Sequence, residues 1–214
     1  MVKLNNFIID ESPLENYHVA QSFKALLIPK NNMLDQLSPE EYRLVRRRMI
    51  ETILATDMAQ HGKELSTLKT KIDTFDIKDG EYVERMIFEG NVSKTYENQQ
   101  AVISMCVHCA DLSNPAKKEA VNKIWIDLIF KEFFKQGDEE RKLGLQITLL
   151  CDRNTTNIYK SQIGFINFAV IPVYDALMQF IPEISPYMNV IKENLKRFEN
   201  LVIEEAKEKE KDKK

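Results

Sequence analysis

The sequence predicts an all-α fold, and three observations carry that prediction. Two helix-start signals, Ser12-Pro13-Leu14-Glu15 and Ser38-Pro39-Glu40-Glu41, place Pro at the first helical position and a carboxylate three residues after the Ser. Apolar residues recur at helical spacing, as in Val121, Ile124, Trp125, Leu128 and Ile129. No stretch reads as a convincing strand, and no internal repeat is present.

The elements follow in order. A first helix runs from Ser12 to about Leu27, with Leu14, Val19, Phe23 and Leu26 on its core face. After a loop with Pro29, the second helix starts at Ser38. It buries Tyr42, Val45, Met49 and Ile53, exposes Arg43, Arg46, Arg47 and Glu51, and reaches Ala55-Thr56-Asp57-Met58. A third follows Gly62 with Leu65, Leu68 and Ile72 on one side. Residues 74 to 95 read as a long loop around the apolar island Met86-Ile87-Phe88, with at most a short helix. A helix from about Glu97 to Leu112 is stopped by Pro115. The next, Glu119 to Gln136, ends at Gly137. It carries a second apolar stripe of Ile126, Phe130 and Phe134, which predicts a central helix. Asp138 caps a short charged helix through Leu143, and residues 152 to 157 form a turn-rich link. Tyr159 to Phe180 is nearly all apolar, with a kink before Pro172. Ser185-Pro186 starts the last helix, which grades into a charged, fraying end. The predicted organisation is one domain over residues 1–200 and a tail over 201–214.

Composition narrows the function classes. The 214 residues, 43% of them apolar and 29% charged, suffice for one large domain or two small ones with an ordinary soluble surface. A net charge of −3 carries no basic footprint, so no nucleic-acid partner is expected. Three Cys, at 106, 109 and 151, make no disulfide framework, and no apolar leader follows Met1, so a reducing, cytoplasmic setting is expected. The longest apolar run, about Ile163 to Tyr174, is interrupted by Gly164, Asn167 and Pro172 and falls short of the roughly 20 residues of a membrane span.

The chemistry concentrates in His108-Cys109-Ala110-Asp111-Leu112-Ser113-Asn114-Pro115, at the end of the apolar run from Ala101 to Val107. Buried polar groups must be paired or metal-bound. His108, Asp111 and Asn114 lie three apart, on one helical face. Asp111 suits a divalent metal ligand; the competing reading is a structural carboxylate paired with His108 or a helix N-terminus. Cys106 and Cys109 read as packing thiols, since four zinc ligands and a redox-type βαβ context are both missing. Gln162 and Phe165, three apart on an apolar helix, point into the same space. A carboxamide offers one donor edge and one acceptor edge, which suits a purine with a ring beside it to stack on. Ordinary core packing is the alternative, and it equally fits Ile129 and Phe133, four apart, as an opposite wall.

The same motifs, with Glu132-Phe133-Phe134-Lys135-Gln136-Gly137-Asp138, Ser161-Gln162-Ile163-Gly164-Phe165-Ile166, Leu14-Glu15-Asn16-Tyr17-His18 and Leu54-Ala55-Thr56-Asp57-Met58, resemble the class I cyclic nucleotide phosphodiesterases from about residue 10 to 180. The resemblance implies a compact multi-helix catalytic domain, HD-superfamily-like. It also implies two adjacent divalent metals, zinc and usually magnesium, a bridging hydroxide that attacks the cyclic phosphate, and a His that protonates the leaving oxygen. By position, Asp111 is implied as a zinc ligand, and Glu15 and Thr56 as groups orienting metal-bound waters. Gln162 is implied as the purine reader, with Phe165 and Ile129 clamping the ring. Asn114, Trp125, Phe133, Leu150 and Met58 are implied as pocket lining.

The departures matter equally. The family's H-N-x-x-H and H-D-x-x-H segments find no match: the only His are 18, 61 and 108, and none precedes an Asp. The general-acid His and most metal ligands are therefore absent from this sequence, and one carboxylate does not hold a catalytic zinc, which takes about three protein ligands. The expectation is a chain corresponding to the C-terminal portion of such a domain, lacking its N-terminal helices and any regulatory segment, with apolar faces such as that of the Trp125 helix exposed. The function expected of the complete domain is hydrolysis of cAMP, cGMP or both. The alternatives are a non-catalytic purine-nucleotide-binding pseudoenzyme and a helical interaction module.

Overall fold

The structure, a computed structural model, describes residues 11–78, 80–88 and 91–211. Among these residues there are helices, turns and one isolated bridge between Lys78 and Glu81, but no strand. The expected all-α class is what folds. Two units are distinguished: Met1–Asp111 with Ala176–Pro182, and Leu112–Asp175 with Glu183–Lys214.

The first unit contains α1 (Pro13–Leu26), α2 (Pro39–Leu54), α3 (His61–Phe75), α4 (Val83–Phe88) and α5 (Val92–Asp111). The two Ser-Pro start signals have different outcomes. At α2 the capping box closes: the Glu41 N–H donates to Ser38 Oγ at 3.3 Å and the Ser38 N–H to Glu41 Oε2 at 2.9 Å. At α1 it does not. Ser12 adopts left-handed φ 50°, ψ 52°, and its hydroxyl donates instead to Asp57 Oδ2 at 2.7 Å. A tertiary carboxylate has outcompeted the local cap. The expected core faces are also shallower than predicted. No residue of α1 is buried, and in α2 only Thr52 is, with Tyr42 exposed. Two of the arginines expected to point into solvent lie on aromatic faces, Arg46 at 4.1 Å from the Phe23 ring and Arg47 at 4.4 Å from that of Tyr96.

The core of this unit comes from Leu65 and Leu68 of α3, Met105 and Cys109 of α5, and two residues of the expected loop, Ile77 and Met86. That segment is therefore more ordered than its polar composition suggests. Lys71 Nζ donates to Asn98 Oδ1 at 2.6 Å, and Asn98 Nδ2 donates to the Met86 carbonyl at 2.8 Å, tying α3 and α4 to α5. Helix α5 starts at Val92, earlier than the expected Glu97. Residues 79, 89 and 90 of the expected loop lie outside the described residues, as do 1–10 of the expected domain and 212–214 of the expected tail.

The second unit contains a 3₁₀ turn (Asn114–Ala116), α6 (Glu119–Lys142), α7 (Ile158–Phe165), a π-helical turn (Ile166–Val170), the first part of α8 (Ile171–Met178), and α9 (Ser185–Lys211). Helix α6 does not stop at Gly137. It continues to Lys142 and closes on Gly144 at φ +69°, where the Gly144 N–H reaches the Arg141 carbonyl at 3.1 Å and the Leu145 N–H that of Glu140 at 2.9 Å. Nor is α6 buried on two sides. Asn122, Ile126, Phe130 and Gly137 are buried, while Val121, Ile124, Trp125, Leu128 and Ile129 are exposed.

The kink expected before Pro172 is a π turn, in which the Ile171 N–H bonds to the Ile166 carbonyl five residues back. Widening the helix there accommodates a Pro that has no N–H and whose ring crowds the preceding turn. The run Ile158–Met178, at mean hydropathy 1.2, is long and apolar enough to cross a membrane, more so than the interrupted apolar segment suggests; 44% of that window is buried in the protein. Helix α9 presents Met188, Ile191, Asn194 and Phe198 inward and is continuous through Lys211.

Candidate functional site

The candidate residues divide between the two units. In the first, Glu15 sits in α1, Thr56 and Met58 in the turn after α2, and Asp111 at the last position of α5. The Thr56 hydroxyl donates to the Ile53 carbonyl at 2.7 Å, and neighbouring Asp57 accepts from Ser12 Oγ and, at 2.8 Å, from the Ala59 N–H. Met58 and Asp111 are exposed. His108, one turn before Asp111, is fully buried, and its hydrogen bond goes to a second imidazole: Nε2 lies 2.8 Å from His61 Nδ1. The pairing of His108 with Asp111, one alternative from the sequence, is not what forms. Cys106 is half-buried, and burial pushes its thiol up, consistent with a packing role.

Among the described residues no three His, Cys, Asp or Glu side chains gather where they could hold a metal ion. The groups present therefore do not fit the divalent pair implied by the resemblance, because a hydrolytic zinc takes about three protein ligands.

The imidazole pair has a pH consequence. One ring must donate and the other accept, so double protonation sets two N–H groups against each other. Burial holds the His61 imidazole below its ordinary range; burial, then the charge of His61, does so for His108, with Asp111 pulling the other way. Both folded-state values lie below the unfolded one. The pair's contribution to stability is thus complete above about pH 6.5 and is lost as pH falls from there through the folded values. Thermal unfolding between pH 7.5 and 5 is expected to show a falling Tm, with both histidine NMR titrations centred below 6.5. A flat Tm, or midpoints at or above 6.5, would contradict this.

In the second unit, Asn114 opens the turn that carries buried Pro115 and Ala116. Three carbonyls of this turn are held from behind by carboxamides. Asn122 Nδ2 of α6 donates to the Asn114 carbonyl at 3.2 Å; Asn194 Nδ2 of α9 donates to those of Pro115 at 2.8 Å and Lys117 at 2.9 Å. Asn114 Oδ1 is buried without a partner. Gln162, on α7, is 7% exposed and its side chain makes no hydrogen bond among the described residues. Phe165 follows one turn later and is half-buried. Trp125 and Ile129 lie on the exposed stripe of α6, and Phe133 packs edge-on against Phe130 at 5.7 Å. Leu150 is held at φ +70°, a strained value for a residue with a Cβ. Helix α9 is the common support, packing against both α7 and the Asn114 turn.

Sequence reasoning missed Asn122, Asn194 and Arg197, which brace that turn. The available signal was an Asn at a core-facing position of each of two amphipathic helices. It also missed a cleft of about 620 Å³ in the first unit, with Arg47, Glu51, Lys63, Tyr96 and Gln100 in its lining.

The family model described as 3'5'-cyclic nucleotide phosphodiesterase matches residues 3–191. The chain is 32% identical over 194 residues to a 3',5'-cyclic-AMP phosphodiesterase, isoform F, of Drosophila melanogaster, and 34% identical over 194 residues to 3',5'-cyclic-AMP phosphodiesterase 4C of Rattus norvegicus. Each match covers 90% of this chain, but only 28% and 35% of those relatives. The crystal structure of the phosphodiesterase domain of a RhoPDE fusion protein from the choanoflagellate Salpingoeca rosetta superposes with a TM-score of 0.80 at 29% identity, over 95% of this chain and 61% of that one.

Proposed function

The chain belongs to the 3'5'-cyclic nucleotide phosphodiesterase family, and from that membership we propose that it carries the purine-recognising part of a domain that hydrolyses cAMP, cGMP or both to 5'-monophosphates. Gln162 reads the purine edge, Phe165 and Ile129 clamp the ring, and Asn114, Trp125, Phe133 and Leu150 complete the lining. The observation that carries this reading is Gln162 on α7, a residue only 7% exposed whose carboxamide makes no hydrogen bond among the described residues and so keeps both edges free for a ligand. A carboxamide with both edges unengaged is preset to pair with a purine edge, which supplies one donor and one acceptor. Asp111, Glu15 and Thr56 are proposed to serve a metal centre only where further ligands are supplied, because the described residues do not form one. These 214 residues are thus proposed to bind without turnover.

Calorimetric titration of cAMP and cGMP into the chain, with and without chelator, tests this. Binding unaffected by chelator is expected, weakened about tenfold or more by Gln162→Ala, the scale of leaving one buried partner unmatched. No hydrolysis is expected with added zinc and magnesium. A form extended upstream with His-rich segments, where the gene encodes them, is expected to turn over. Absence of nucleotide binding, or indifference to Gln162→Ala, overturns the reading.

A further inference from the structure

The geometry points to Arg197 and Asn122 as positioning residues for nucleotide recognition, acting through Asn114; this rests on the purine-binding reading above. The Arg197 side chain is only 20% exposed, pairs with Glu119 at 2.9 Å, and lies over the Phe198 ring at 4.6 Å. Its Nη2 donates to Asn122 Oδ1 at 2.6 Å. A guanidinium only donates, so it dictates which way the fully buried Asn122 carboxamide faces: oxygen toward Arg197, nitrogen toward the Asn114 carbonyl. The ordinary ambiguity of an Asn amide is removed by a charge.

The consequence falls on Asn114. Its peptide carbonyl is engaged from behind by Asn122, and the next two bonded carbonyls by Asn194. The backbone of the turn is therefore anchored, while the Asn114 side-chain oxygen stays buried and unmatched. Such an acceptor is retained where a ligand brings the donor. Were Asn122 free to flip, its own oxygen would oppose the Asn114 carbonyl, and the turn would shift or the side chain would be drawn inward. The Arg197 to Asn122 to Asn114 relay thus holds the carboxamide ready before ligand arrives, which lowers the ordering cost of binding.

A double-mutant cycle in cAMP binding, read by calorimetry on the full chain, separates this from mere support of the fold. Arg197→Met is expected to weaken binding about tenfold, and Arg197→Lys, which keeps a charged donor, to recover most of that. In an Asn114→Ala background the same Arg197→Met change is expected to alter affinity less than about twofold, because the two residues act as one unit. Asn122→Asp keeps an acceptor for Arg197 but removes the donor to Asn114, and is expected to reproduce the Arg197→Met loss; it serves as the second variant if Arg197→Met does not fold. A lowered Tm with unchanged cAMP affinity, or additive effects of Arg197→Met and Asn114→Ala, overturns the relay and leaves the purine-binding reading standing. Failure of the unmutated chain to bind either cyclic nucleotide overturns both.

Discussion

Gly137→Ala is expected to destabilise the protein by about 3 kcal/mol, although Ala is the better helix former by about 1 kcal/mol. Gly137 lies inside α6, where an added Cβ would sit 2.7 Å from the carbonyl carbon of Cys151 and closer still to its oxygen. The obstacle is backbone and cannot rotate away like a side chain. The segment that carries it is pinned: Arg141 holds Asp152 at 2.7 Å, Arg153 pairs with Asp138, and the Thr148 N–H donates to Glu140 at 2.7 Å. Leu150, immediately before Cys151, already occupies a left-handed conformation. The cost therefore comes from moving that segment off the helix. Gly164→Ala is the internal control. It is also helical, but nothing lies within 4 Å of its added Cβ, so it is expected to stabilise by roughly 0.5–1 kcal/mol. Urea unfolding of both variants decides the point. A Gly137→Ala protein as stable as the parent would mean that the Cys151 approach is dispensable.

Gly137 also shows where a sequence stops being legible. A Gly after a long apolar run is ordinarily a helix terminator, and the prediction used it so. Its other use, admitting a backbone from a distant segment, leaves no local trace. Gly144 performs the termination, with a complete pattern of end-of-helix hydrogen bonds. The paired Ser-Pro signals teach the same lesson: Ser38 capped locally because nothing competed, whereas Ser12 met Asp57, forty-five residues away. Helix existence and class were readable because they follow from periodicity within a few turns. Buried islands such as Ile77 and Met86 were not, because their burial depends on partners in α3 and α5 that the polar loop composition does not announce.

For the candidate site, the motif residues themselves were legible, and their placement on α5, α6 and α7 follows from spacing. What supports them was not. Asp111, three residues on, was one of the alternative partners for His108, which answers instead to His61 across the unit. The family membership rests on the match over residues 3–191, yet the bracing of the Asn114 turn comes partly from α9, where Asn194 and Arg197 sit in a helix that reads as ordinary amphipathic surface. A side chain that holds a backbone carbonyl has no motif, since any donor of the right reach will serve.

That reasoning gives Asn194 a large expected effect. It is 4% exposed, and one Nδ2 group supplies both Pro115 and Lys117 carbonyls across a loop-to-helix separation of more than seventy residues. Asn194→Ala strands two acceptors at once, at about 1–3 kcal/mol for each that water does not reach, so a loss of about 2–4 kcal/mol is expected. A cavity accounts for part of any Ala effect, and Asn194→Leu separates the two contributions. Leu restores volume and donates nothing, so if hydrogen bonding dominates, it is expected to remain destabilised by about 2 kcal/mol or more. Hydrogen exchange localises the damage. The Ala116 and Lys117 N–H groups, bonded at 3.0 Å to Ser113 and Asn114, are expected to lose protection ahead of those in α6. Recovery of full stability in Asn194→Leu would mean that packing, not the carboxamide, secures the turn. Persistence of the loss would mean that the Asn194 carboxamide, not its packing, secures the element that presents Asn114.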